Sequence, residues 1–123
     1  MEFKAQKPIY RQIADYILEK ILSGEWKGGD RLPSVRDLAA ELQVKSNTVV
    51  KAFNFLSDKE IIHTQRGIGY FISDGARQKA YDFQKKTFLK NELPGFFIRM
   101  DLLNIDFEEL EALYKKMHQY ENQ

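Results

Sequence analysis

Leu32-Pro33-Ser34-Val35-Arg36-Asp37-Leu38-Ala39 leads into Val44-Lys45-Ser46-Asn47-Thr48-Val49, and Gln65-Arg66-Gly67-Ile68-Gly69-Tyr70-Phe71 closes the stretch. This stretch reads as two short helices joined by a tight turn and followed by a two-stranded hairpin. Ser34 suits an N-cap, and Asp37 three residues on makes a capping-box-like pair with it. Val35, Leu38, Ala39 and Leu42 form a buried stripe at helical spacing, with Arg36 and Asp37 off that stripe. Gln43-Val44-Lys45 is the turn. Ser46 to Lys59 is the next helix, capped by Ser46 or Asn47. Val49, Ala52, Phe53 and Leu56 follow i, i+3, i+4, i+7 and face the core.

The opposite face of that helix carries Asn47, Val50, Lys51 and Asn54. Short side chains let a helix lie close to the floor of a DNA groove, where base edges are read. From Gln43 to Ser57 there are two lysines, Lys45 and Lys51, and no acid. Two short amphipathic helices across a short turn are the helix-turn-helix pattern. Ile61-Ile62-His63-Thr64 and Tyr70-Phe71-Ile72 then read as paired strands across a glycine-bearing turn. Arg66 at the tip of such a hairpin can reach phosphates or the adjacent minor groove. The competing reading of Arg66 is a solvated turn charge. The expected fold is mainly α with a small β-hairpin: a winged helix-turn-helix over residues 1–75, followed by a short helical dimerisation appendage over residues 76–123.

Before this stretch, Pro8 to Ser23 reads as a helix, with Pro8 at its first position and Gly24 as a left-handed cap. Ile9, Ile13, Ile17 and Ile21 recur every four residues on its apolar face. Trp26 to Asp30 is a loop, and Trp26 reads as a packed anchor.

Ser73-Asp74-Gly75 is a break. Ala76 to Lys90 is helical, Asn91 to Gly95 interrupts, and Phe96 to Leu103 is a short apolar helix. Asp106 caps a last helix, with Glu108 and Glu109 in its first turn. This tail carries Phe88, Phe96, Phe97, Met100, Leu103, Leu110, Leu113 and Tyr114. A few short helices cannot bury all of these internally, so they are expected to form a homodimer interface. The competing reading folds the tail back on its own winged domain.

Composition narrows the function classes. With 123 residues and 43% hydrophobic content the chain can pack a core, and oligomerisation would help so small a module. The absence of cysteine excludes a disulfide framework and a zinc finger. His63 and His118 stand far apart with no ligand spacing around them, so neither a metal nor a cofactor is expected. Met1 to Lys7 has no apolar run behind it and reads as no signal peptide. No window approaches the ~20 apolar residues of a membrane span, so the expected location is cytoplasmic. The net charge of +1 permits nucleic-acid binding through a locally basic face. There is no phosphate loop, no nucleophile–base pair and no paired catalytic carboxylates. Gly67-Ile68-Gly69 is too short for a dinucleotide fingerprint. No enzyme is expected.

Pro8-Ile9-Tyr10-Arg11-Gln12-Ile13, the run Gly29 to Ala39, Asn47-Thr48-Val49 and Arg66 to Phe71 together resemble the DNA-binding domain of the GntR family of bacterial transcription regulators. The resemblance covers Pro8 to Ile72. The short helical tail, with Leu93-Pro94 before its apolar run, is similar to the YtrA-type subfamily, whose members dimerise through a few helices. The resemblance implies a dimeric regulator, in the first place a repressor, binding a two-fold operator in double-stranded DNA, in some relatives beside transporter genes. It implies that Arg36 contacts operator DNA. It also makes Lys45, Ser46, Asn47 and Thr48 the start of the recognition helix, and Arg66 and Gly67 the wing tip. Many members carry an arginine where this chain has Val50. Either Lys51 replaces that contact or Val50 packs on a thymine methyl. Whether a small effector binds is left open; if one does, the resemblance implies a small molecule at the dimer interface. The alternative function is a winged-helix protein-interaction module that does not read DNA.

Overall fold

The structure, a computed structural model, describes residues 7–121. Residues 1–6, which carry most of the N-terminal stretch read above as no signal peptide, and residues 122–123 lie outside the described residues. Helices α1 (Ile9–Leu22), α2 (Val35–Leu42) and α3 (Ser46–Asp58) are followed by strands β1 (Ile62–Gln65) and β2 (Gly69–Ile72). Then come α4 (Ala76–Thr87), a π turn (Phe88–Glu92), α5 (Leu93–Leu102) and α6 (Phe107–Glu121). The chain divides into two compact units, one running through Phe83 and one starting at Gln84.

The first unit is built around one apolar cluster. Ile13, Ile17 and Ile21 of α1 meet Leu38 and Leu42 of α2, Val49, Phe53 and Leu56 of α3, and Ile62 and Ile72 of the hairpin. Ile9 departs from the expected stripe and is exposed. Pro8 stands at the N-cap rather than inside the helix. Trp26 packs edge-on against Tyr16, with ring centroids 6.4 Å apart, so it serves as an anchor on the outside of α1.

The unit extends past Gly75 because the start of α4 joins the core. Ala76 and Ala80 are buried, and these small side chains let the helix lie close. Phe83 then sets its ring 5.6 Å from that of Phe55. Two cations close this aromatic pair. Arg11 lies 4.3 Å over the Phe55 ring and Lys59 lies 4.4 Å over the Phe83 ring.

In the second unit the expected interruption at Asn91–Gly95 is absent. The chain stays helical through the π turn, in which the Leu93 N–H donates to the Phe88 carbonyl five residues back. Pro94 falls in the first turn of α5, where its missing N–H is not needed. Asn104, at φ 57°, turns the chain out of α5. The Asp106 carboxylate then accepts the Glu109 N–H at 2.8 Å and caps α6, as its position in the sequence implies.

Candidate nucleic-acid interface

Each part of the helix-turn-helix follows from local chemistry. Ser34 Oγ accepts the Asp37 N–H at 3.0 Å, stabilising the start of α2 by about 1 kcal/mol. Gln43 ends α2 in the left-handed region at φ 58°, ψ 48°. The next amide, Val44 N–H, donates to the Ala39 carbonyl at 3.0 Å. This closes the helix end without a glycine and turns the chain sharply into α3. Lys45 is the N-cap of α3 and makes no side-chain cap bond. The expected cap by Ser46 or Asn47 is therefore corrected: both are already helical. That leaves their side chains free of a capping bond and turned outward at the front of the helix.

The outward surface of α3 matches the expected face. Lys45, Ser46, Asn47, Val50, Lys51 and Asn54 are exposed, and Thr48 is half-buried. Asn47, Val50, Lys51 and Asn54 share one side at spacings of three and four. Arg36 is exposed in the first turn of α2, which packs directly on α3. The face thus sets Arg36, Lys45 and Lys51 among the short side chains of Ser46, Asn47, Val50 and Asn54, on a helix whose other side is fixed by Val49, Ala52, Phe53 and Leu56, all 0% exposed.

The wing is more extensive than two strands. β1 and β2 pair antiparallel with Ile62 opposite Ile72 and Gln65 opposite Gly69. On the other side of β2, Arg31 bridges to Phe71. The Leu32 N–H donates to the Tyr70 carbonyl at 2.9 Å, and the Ile72 N–H to the Asp30 carbonyl at 2.8 Å. The chain just after the loop read at Trp26 to Asp30 therefore lies along β2 as an isolated bridge at Arg31. Tyr70 carries the wing onto α3 through an edge-to-face contact with Phe53, at 4.6 Å between centroids. Arg66 and Gly67 are exposed at the turn, and Gly67 supplies the positive φ of 79° that the turn requires.

The fold thus brings Arg36 and the recognition-helix residues together on one packed helix pair and leaves Arg66 and Gly67 on the hairpin beside them. The residues expected at a dimer contact all lie in the second unit. Phe88, Phe96, Phe97, Leu103, Leu113 and Tyr114 are each 47–62% exposed. Leu110 is half-buried, whereas Met100 is only 8% exposed. Met100 therefore packs within the second unit rather than on its surface. Among the described residues no group of three or more His, Asp or Glu could hold a metal ion, and no helix is long and apolar enough to cross a membrane.

A short helix pair across a tight turn, its second helix free of acids from Ser46 to Ser57 and exposing a basic, polar face, with a braced hairpin beside it, defines a winged helix-turn-helix regulator. The comparisons with known proteins agree. The profile of the bacterial regulatory proteins of the gntR family matches residues 9–72. The chain is 36% identical over 114 residues to the HTH-type transcriptional repressor YtrA of Bacillus subtilis (strain 168), spanning 93% of this chain and 87% of that protein. A crystal structure of a GntR-family regulator from Bacteroides thetaiotaomicron is 37% identical, with a TM-score of 0.77 over 92% of this chain and 98% of that one. YtrA from Sulfolobus acidocaldarius, a GntR-family transcription factor, is 32% identical with a TM-score of 0.57, over 100% and 98% of the two chains. This chain belongs to the GntR family and groups with its YtrA-type members. It is a DNA-binding transcriptional regulator and not an enzyme.

Proposed function

We propose that this chain is a homodimeric repressor that lays α3 of each copy into successive major grooves of a two-fold symmetric operator. The observation that carries the reading is the outward face of α3, where Lys45, Ser46, Asn47 and Lys51 are exposed on a helix locked from behind by a fully buried stripe. Arg36, Lys45 and Arg66 neutralise phosphates and set the register. Asn47, Thr48 and Lys51 approach base edges, where asparagine pairs with adenine and lysine with guanine. The exposed phenylalanines and leucines of α5 and α6 supply the contact between copies, since helix faces this apolar are covered in a stable protein. The likeness to a protein described as a repressor supports repression rather than activation. The YtrA-type resemblance supports transport genes as the targets.

The two lysines separate positioning from reading. Lys51→Ala is expected to lower affinity for the matched operator by about tenfold, in line with ~1–3 kcal/mol per base contact, and to leave affinity for scrambled DNA nearly unchanged. Lys45→Ala is expected to weaken both DNAs alike and to reduce the slope of log K against log salt by about 1. Fluorescence anisotropy of both variants on both DNAs at several salt concentrations checks the assignment. Equal losses on matched and scrambled DNA for Lys51→Ala would remove it from the base-reading set.

A further inference from the structure

Arg31 was not among the residues that the sequence marked for DNA contact, yet its side chain is committed to the wing. Its Nη2 donates a 2.6 Å hydrogen bond to the backbone carbonyl of Ile68 at the hairpin turn, 37 positions further along the chain. The backbone of Arg31 is held by its bridge to Phe71, so the guanidinium starts from a fixed base and reaches along the hairpin to its tip. Gly69 makes room for it. A Cβ at that position would lie 3.1 Å from Arg31 Nε, and φ there is 147°. The turn is also closed locally by the Ile68 N–H to the Gln65 carbonyl at 2.9 Å. A two-stranded hairpin is marginal by itself, so the aim of its tip depends on what braces it from the side. A cationic donor on a carbonyl is a stronger brace than a neutral pair.

We infer that Arg31 is a positioning residue for the wing: it ties the Arg66–Ile68 turn to the strand-like segment before α2 and so sets where Arg66 meets the DNA. Its guanidinium is directed to the Ile68 carbonyl, and it acts on affinity through Arg66 rather than by touching nucleic acid. The consequence for DNA rests on the function proposed above, whereas the brace itself does not.

The experiment therefore has an arm without DNA. In the free protein, Arg31→Gln is expected to speed hydrogen exchange at the Ile68 amide about tenfold while the Leu56 amide in α3 stays unchanged. Arg31→Lys, which keeps one cationic donor, restores part of the protection. Unchanged exchange at Ile68 overturns the brace whatever the DNA data say. On operator DNA, Arg31→Gln alone is expected to weaken binding about fivefold, but less than about twofold when Arg66→Ala is already present, the coupling expected of two residues on one path. Independent, multiplying losses would mean that Arg31 contacts DNA itself and overturn the positioning role. If Arg66→Ala leaves affinity unchanged, the wing contact of the proposed function fails, and the effect on DNA inferred for Arg31 fails with it. The exchange result then still decides on the brace alone.

Discussion

Phe53→Ala is expected to destabilise the winged unit by about 3–5 kcal/mol, the usual cost of emptying a phenylalanine site in a packed core. Phe53 is 0% exposed and stands where α3 meets the wing, with the Tyr70 ring against it at 4.6 Å. The loss is therefore both the transfer of the ring and the cavity left between two elements that cannot easily close on it. For a unit of this size the melting temperature should fall by more than about 10 °C. Val50→Ala on the same helix is the control. Val50 is 37% exposed, so its truncation should change stability by no more than about 0.5 kcal/mol. Thermal denaturation of the two variants checks the pair. Similar losses would mean that burial of the Phe53 ring is not what sets the stability of α3.

The second large effect concerns the contact proposed between copies. Phe97→Asp combined with Leu113→Asp puts two charges on a face now made of exposed apolar side chains. Both positions are about half exposed, so each copy should still fold. Sedimentation is expected to show a monomer. Affinity for a full operator should fall by about 10²–10⁴-fold, the avidity lost when two readers are no longer linked. Binding to an isolated half-site should be unchanged. A variant that stays dimeric would place the contact elsewhere than on α5 and α6.

Local chemistry made much of the winged unit legible in the sequence. Ser34 caps α2, and Val49, Ala52, Phe53 and Leu56 turn inward, because capping and helical period act within a few residues. Contacts between distant residues were not legible. Nothing near Arg31 signals that its side chain reaches Ile68, although Gly69 beside the wing tip was a trace of it. The same holds for the start of α4. Ser73-Asp74-Gly75 reads as a break, but Ala76, Ala80 and Phe83 belong to the first core, because small side chains there fit against it. Composition around Pro94 suggested a gap in the tail, and a π turn carries the helix through instead. In the tail, apolar content alone did not separate Met100, which turns inward, from its outward neighbours Phe96 and Phe97.

The proposed interface residues are open to solvent. Arg36, Lys45, Ser46, Asn47, Lys51 and Arg66 are all exposed, and none of the α3 positions is spent on capping its helix. Val50 in place of the arginine of many relatives leaves Lys51 as the long cation on the centre of that face, so the preferred bases should differ from those of arginine-bearing relatives.

Selection of bound sequences from random duplex DNA by the full chain tests the central claim most directly. Two related half-sites are expected to be enriched in two-fold arrangement, their centres about one helical turn, ~34 Å, or a whole number of turns apart. Enrichment of a single unpaired site would contradict the dimeric reading, and recovery of no preferred sequence would contradict base reading by α3 altogether.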